Sequence, residues 1–420
     1  PSFRKGLRSF PTPAVPRRTH LPGPTGELNQ LSTLPRPPLL CLGPDAAQVM
    51  AQVAAVEALG GRAIAVDGAL APDALKTLPD RIPALKYRVS RTDTLHVLGT
   101  GDPSALHPRL GDTTAASFMR RYDHIVLHTW NFRDPPWGAG WAWDDFDQPY
   151  MPPRSSLPLY GNVVEIVGQG GQLQVSPPLF RDSVIVADRP FRRRPDKNLF
   201  YYPPSGSDTL TIPMRLDPGL SRELLQAATG VPVGAGLENP GGPWQTLGSI
   251  PSDSLLREMM GVSDNFLAEQ TMLLVSSTLG DTLSFTKARD HILQTHLEKL
   301  PTPPRWVDGS GLSRYNLCSP ESLVYVLMEL YREIPRERLF DLMARGDRQG
   351  TLKDAYLDTE GPYLFGKTGS LSNNHNLCGY LKTRSGKTVV FSFMNNHYRK
   401  PTALVKGRME RILSWVREHY

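Results

Sequence analysis

The spacing of hydrophobic residues changes character along the chain. From Ile82 to about residue 245, apolar residues come in short runs separated by Pro and Gly: Leu95-His96-Val97-Leu98, His124-Ile125-Val126-Leu127, Val163-Val164-Glu165-Ile166-Val167 and Ser183-Val184-Ile185-Val186-Ala187. Runs of that length between turn formers predict strands. From Ser252 the period becomes helical. Ser252 is placed to cap a helix through Leu255 and Met260, and Phe266 to Leu279 continues as a long apolar-faced helix. Ser319-Pro320-Glu321 predicts a sharp helix start, with Ser as cap and Pro in the first turn. That helix runs to about Glu333, with Leu323, Val326, Leu327 and Leu330 on one face. Farther on, Leu377–Leu381 and Thr388–Phe393 flank Ser385-Gly386 and predict an antiparallel hairpin. A last helix, about Ala403–His419, sets Val405, Met409, Ile412 and Val416 on a stripe.

The first 80 residues do not share this texture. Nine prolines fall between Pro11 and Pro44, and no Phe, Tyr or Trp occurs from Pro11 to Asp80, although aromatics make up 8% of the chain. Ala46 to Leu59 reads as a helix with Val49, Val53, Val56 and Leu59 roughly on one face; the rest of residues 1–80 reads as a poorly folded Pro/Ala-rich segment.

Composition adds bounds. With 420 residues, 40% of them hydrophobic, the chain can build two or three cores. Its net charge of +6 is spread out, which fits an anionic polymer such as cell wall and not nucleic acid. No apolar run approaches the roughly 18–20 residues of a membrane span. No signal peptide is visible; the chain begins at Pro1, so removal of an export signal is compatible with it. Cys41, Cys318 and Cys378 match no metal spacing and read as buried thiols. No metal or organic cofactor is expected.

Several local clusters carry less than they suggest. Gly99-Thr100-Gly101-Asp102-Pro103 is a turn cluster, not a phosphate loop, because no helix-opening G-K-[ST] follows. Asp144 and Asp145 lie in an aromatic, acidic patch with Trp141, Trp143 and Tyr150, but adjacent side chains on an extended segment point apart. Phe191-Arg192-Arg193-Arg194 reads as a solvated basic loop.

Two short motifs carry the chemistry: Gly366-Lys367-Thr368-Gly369-Ser370 and, about a hundred residues earlier, Ser263-Asp264-Asn265. Alone, the first is a Lys-Thr pair entering a turn and the second a helix cap. Acyl transfer gives them a joint use, since it needs a nucleophile, a proton acceptor, oxyanion donors and a cation for a substrate carboxylate. Around them stand Phe266-Leu267-Ala268-Glu269-Gln270, Asp308-Gly309-Ser310-Gly311-Leu312-Ser313-Arg314-Tyr315-Asn316 and Gly350-Thr351-Leu352.

With those flanks, the chain from about residue 78 onward resembles the low-molecular-mass class C penicillin-binding proteins, the D-alanyl-D-alanine carboxypeptidases and endopeptidases with a large insertion in the catalytic domain. The resemblance implies an α+β (α/β) fold: a β-lactamase/transpeptidase-like domain at residues 249–420, with an antiparallel sheet and a helical part, and a β-rich insertion at 81–248. It implies a serine acyl-enzyme acting on peptidoglycan stem peptides, affinity for β-lactams and a periplasmic location. It gives Lys367 the substrate carboxylate, with Thr368, Gly369 and Ser370 lining the binding strand. Ser263 would relay a proton, Asn265 would bind substrate backbone, and the Trp pair would be packing. Oligomeric state stays open.

The third family motif, S-x-x-K, is the difficulty. Only Ser2-Phe3-Arg4-Lys5 and Ser284-Phe285-Thr286-Lys287 have the spacing. Ser284 follows S-D-N, in the wrong order; Ser2 with Lys5 has the right order but sits at the chain end, with Gly6 next. No Ser or Lys occupies Ile64-Ala65-Val66-Asp67, where the motif is expected by distance. Either the chain is a homologue that binds D-Ala-D-Ala or β-lactams without turnover, or residues 11–78 are not the natural reading of the gene. A β-lactamase is disfavoured by the long insertion.

Overall fold

The computed structural model describes residues 80–420, apart from 91, 170, 171, 207 and 208, together with the backbone of four short strands nearer the N-terminus. The chain divides into two units, Pro1–Thr77 and Leu78–Tyr420. In the first, β1 (Arg17–Leu21) pairs antiparallel with β2 (Asn29–Thr33), and β3 (Leu39–Leu42) pairs parallel with β4 (Ala63–Val66). Ser2, Lys5 and the helix expected over Ala46–Leu59 lie outside the described residues.

The second unit opens with a mixed five-stranded sheet. β5 (Arg81–Val89), β6 (Leu95–Gly99), β7 (Ile125–His128), β13 (Val233–Gly236) and β14 (Gln245–Pro251) lie in the order β13-β7-β6-β5-β14. The β6–β7 and β7–β13 pairs are parallel. Such pairing needs crossovers; one carries α1 (Thr114–Met119), and the long connection from β7 to β13 ends in α2 (Pro218–Thr229). That connection also builds a small sheet, in the order β12-β8-β9, from β8 (Val163–Gln169), β9 (Gln172–Ser176) and β12 (Leu210–Pro213), and the short pair β10 (Val184–Val186) and β11 (Phe200–Tyr202). One apolar core joins these pieces, with Leu95, Val97, Ile125, Ile166, Phe200 and Leu225 buried in it. The expected boundary at residue 248 falls inside β14, which pairs with β5.

The remainder follows the hydrophobic pattern closely. The helices α3 (Ser252–Val262), α4 (Asn265–Thr278), α5 (Phe285–Thr295), α6 (Pro320–Glu333) and α7 (Arg336–Leu342) precede an antiparallel sheet. Its order is β15 (Ala344–Arg345), β18 (Leu364–Leu371), β19 (Asn374–Lys382), β20 (Thr388–Asn395). A two-residue ladder, β16 (Leu357–Asp358) with β17 (Gly361–Pro362), stands before β18. The closing helix is α8 (Thr402–His419). Alternation along β18 and β19 gives each face its own partner. Leu364, Leu377 and Leu381 bury against Met409 and Leu413 of α8, whereas Phe365 and Tyr380 bury against Leu327 of α6 and Leu339 and Phe340 of α7.

Four expectations change. α3 begins at Ser252 itself, whose N–H donates to the Asp80 carbonyl at 3.2 Å, so Ser252 is a buried first helical residue and not a cap. In α8 the buried stripe runs through Leu413 and Arg417, leaving Ile412 half exposed. The rotation lets the Arg417 guanidinium donate to the Lys382 carbonyl at 2.8 Å and pair with Asp358. Arg193 is not solvated: it is 1% exposed and donates to the carbonyls of Pro213, Arg194 and Phe146. Cys318 is exposed, and Cys378 is only partly buried.

The G-x-G-D-P turn is the joint between the first sheet and α4. The Gly101 carbonyl accepts from Gln270 Nε2 of α4 at 2.8 Å, and the buried Asp102 carboxyl accepts from Ser249 Oγ at 2.6 Å and Ser104 N at 2.9 Å. Burial pushes the Asp102 carboxyl up to about 6. Gly101 has φ +87°, and a Cβ there would lie 2.7 Å from the Leu273 Cβ. Gly101→Ala is therefore expected to destabilise the protein by about 2 kcal/mol or more, from left-handed strain plus displacement of α4. Denaturant unfolding checks this; a loss within a few tenths of a kcal/mol would contradict it.

Candidate active site

The S-D-N triplet is a corner between two helices. α3 ends at Val262, Ser263 turns left-handed at φ +61°, and Asp264 caps α4 by accepting the Leu267 N–H at 2.8 Å. The bland reading of the motif as a helix cap is thus correct for Asp264 and leaves Ser263 unexplained. A non-glycine residue in this conformation is held there by its surroundings. The Asp264 N–H donates to the Met259 carbonyl at 3.0 Å, and its second carboxylate oxygen pairs with Arg109, which also pairs with Glu258. Below, Thr351 N donates to the Gly261 carbonyl at 3.1 Å, and a Cβ on Gly350 would lie 2.2 Å from that oxygen. The G-T-L motif is therefore the seat of the end of α3.

K-T-G lies on β18. Lys367 shares the Phe365 face, the one turned to the helices, and stands opposite Cys378 in the β18–β19 register. From there its Nζ reaches Ser263 Oγ at 2.5 Å and the Thr368 carbonyl at 2.6 Å. Burial brings the Lys367 ammonium down to about 8 and pushes the Cys378 thiol up to about 11. β15 pairs with β18 only at Phe365 and Gly366. Beyond them, Lys367 to Leu371 pair with β19 on one side and have no strand partner on the other among the described residues. A Cβ on Gly369 would meet nothing within 4 Å, so the strand is open there.

The other expected residues have definite places. Asn265 Nδ2 donates to the Tyr150 carbonyl at 3.1 Å, tying the first turn of α4 to the acidic, aromatic segment. Thr368 is buried, and Ser370 Oγ lies 2.8 Å from His375 Nδ1. Burial lowers the His375 pKa. Trp143 is 82% exposed and is not packing; Trp141 is the packed member, donating to Asp308 at 2.9 Å. Trp143 to Asp145 form a short helical turn, not an extended segment. Ser284 stands just before α5, and Lys287 Nζ donates to the Leu279 carbonyl at 3.1 Å, so this S-x-x-K is a structural turn.

The long family segment is scaffolding for α4. Asp308 accepts from Gly311 N, Ser313 N and Asn316 Nδ2, which fixes its own loop. A Cβ on Gly309 would lie 2.6 Å from the Ala268 carbonyl. Glu269, one turn after Asn265, is 1% exposed, accepts the Ser310 N–H at 2.8 Å and pairs with the buried Arg154 at 3.4 Å. Sequence reasoning did not single out Glu269, Arg154, Arg109 or His375. The one available signal was a carboxylate inside the apolar helix 265–278.

Residues 238–417 match the D-Ala-D-Ala carboxypeptidase 3 (S13) family. This part, less than half of the chain, is similar to that family. Over 159 residues it is 33% identical to carboxypeptidase DacB of Mycolicibacterium smegmatis, covering 36% of this chain and 34% of that protein. The chain thus spans about a third of the length of the curated relatives it matches. In fold it is similar to penicillin binding protein 4 (dacB) from Haemophilus influenzae, with a TM-score of 0.60 and 20% identity over 79% of this chain and 84% of that one. A 75-residue stretch is also 41% identical to bifunctional protein PutA of Salmonella typhimurium, covering 18% of this chain and 6% of that protein. The chain therefore carries sequence similar to two different proteins.

Asp264→Ala is expected to cost about 1–2 kcal/mol by removing the cap of α4 and the Arg109 partner. Asp264→Asn, which keeps a cap, should cost less than half of that. Equal losses by chemical denaturation would contradict the cap as the main term.

Proposed function

We propose that this chain is a serine-type D-Ala-D-Ala carboxypeptidase or endopeptidase, acting on peptidoglycan stem peptides through an acyl-enzyme. The observation that carries this reading is the direct Lys367–Ser263 contact beside the free edge of β18. A peptide can add to that edge through its backbone, as an extra strand. Its terminal carboxylate would then lie by Lys367, with the Thr368 and Ser370 hydroxyls as further donors. Gly369 leaves room for the substrate main chain. Ser263 would pass a proton to the leaving amine, and Asn265 would hold the peptide backbone on the opposite side. β-Lactams fit the same site because they combine an amide carbonyl with a nearby carboxylate.

A wall substrate places the protein in the periplasm or outside the cell. No helix among the described residues is long and apolar enough to cross a membrane.

The test is release of free D-Ala from a diacylated Lys-D-Ala-D-Ala peptide, run beside cleavage of a cross-linked stem-peptide dimer. Turnover is expected, and Lys367→Ala is expected to lower kcat/KM by about a hundredfold, the size of effect of losing a charge-assisted contact in a catalytic site. Saturable peptide binding without release of D-Ala would favour a binding protein; neither binding nor release would overturn the reading.

A further inference from the structure

We infer that His375 is a positioning residue that aims the Ser370 hydroxyl at a substrate carboxylate, so that the open edge of β18 selects ligands with a free carboxylate over those without one. The inference rests on the functional reading above, which lays a carboxylate beside Ser370. It adds a residue that lies in neither K-T-G nor S-D-N.

The two side chains form a cross-strand pair. Ser370 of β18 stands directly opposite His375 of β19, close to the turn that joins the strands. Residues opposite each other on one face of an antiparallel pair are near enough to touch, and Ser370 Oγ lies 2.8 Å from His375 Nδ1. Their exposures differ. Ser370 is exposed, whereas His375 is 4% exposed. A hydroxyl open to ligand is thus backed by a ring that ligand does not reach. The other side of β19 holds that ring in place. His375 pairs with Asn395 of β20, and its carbonyl accepts from Asn395 Nδ2 at 3.2 Å. The Asn395 N–H in turn donates to Asn376 Oδ1 at 2.8 Å. By alternation His375 shares the face of Leu377 and Leu381, the one covered by α8.

Counting protons gives the role. A serine hydroxyl has one proton to donate and lone pairs to accept with, while a carboxylate only accepts. Burial and Lys406 of α8 lower the His375 pKa, so near neutrality the ring is uncharged and carries one N–H. With that proton on Nε2, Nδ1 is an acceptor and takes the Ser370 hydroxyl proton, which turns oxygen lone pairs toward an incoming carboxylate. With the proton on Nδ1, the ring donates to Ser370 Oγ and the hydroxyl proton is free for the carboxylate. Nε2 makes no hydrogen bond to another described residue, so no other contact dictates the tautomer and a bound carboxylate selects the second one. A chain of hydrogen bonds running from ring to hydroxyl to anion is mutually polarising. A C-terminal amide both donates and accepts, so it fits either tautomer and gains nothing from the ring. No covalent bond changes in this role.

The test is binding of the diacylated Lys-D-Ala-D-Ala peptide, and of its C-terminal amide, to the full chain. It is read as Kd by calorimetry, or as kcat/KM where the peptide is cleaved. The unaltered protein is expected to prefer the acid. His375→Leu should weaken the acid about tenfold, the size of one hydrogen bond to a charged group, and leave the amide within about twofold. His375→Asn keeps an N–H donor on a branch of the same length and should restore most of the loss. A second readout needs no variant: 15N NMR of the imidazole nitrogens should place the proton on Nδ1 once the acid is bound. Unchanged acid-over-amide selectivity in folded His375→Leu, or an Nδ1 that stays unprotonated with the acid bound, would overturn the positioning role and leave the peptidase reading standing. If neither ligand is bound or cleaved by the unaltered protein, both fall.

Discussion

The contact on which the site depends is a lysine ammonium held against a serine hydroxyl at the meeting of a sheet and a helical layer. It draws together residues 104 apart in sequence. Isolated, a buried ammonium is costly. Here its donors go to Ser263 Oγ and the Thr368 carbonyl, and its pKa falls to about 8 instead of the chain giving way. That response makes the group useful: near neutrality it can exist in both charge states. An exposed lysine at the same point would be a simple cation.

Everything around this contact fixes one of its two ends. The β18 end is fixed by alternation: Phe365 packs on Phe340 with ring centroids 4.6 Å apart, which commits Lys367 to the helical side. The Ser263 end is fixed by Asp264, Arg109 and the Thr351–Gly261 bond, drawn from three separate parts of the chain. Glu269, Arg154 and Asp308 hold α4 one turn deeper. The buried Glu269–Arg154 pair is weak evidence for stability, because two desolvation costs offset its attraction. Its geometric effect is clearer: it locks the loop at 308–316 and the segment carrying Trp141 to the same helix.

Much of this was legible in the sequence where a residue's role is local. Ser319 caps α6 by accepting the Ser322 N–H at 3.1 Å, and the hairpin joining β19 and β20 turns about Ser385 and Gly386 as the alternation requires. S-D-N and K-T-G were legible as a pair from their order and flanks, and the fold brings Lys367 against Ser263. What was not legible depends on tertiary contact. Arg193 is buried where the carbonyls of Pro213 and Phe146, both distant in sequence, converge on it with that of Arg194, and of the two tryptophans it is Trp141 that reaches Asp308 while Trp143 stays exposed. Ile412 and Leu413 both fit a helical stripe, and the sheet under α8 decides between them. The missing S-x-x-K was legible as an absence; the Ser263–Lys367 distance required the fold.

The central claim is that Lys367 lies half-buried against Ser263 with its proton loosely held. Its direct measurement is an NMR titration of the protein carrying 13C at the lysine side-chain carbons, with Lys367→Arg to assign the signal. The account predicts a midpoint near 8 for Lys367, set apart from the surface lysines. A midpoint close to the unperturbed lysine value of about 10.4 would contradict it, because an ammonium with an ordinary pKa is not desolvated at that contact.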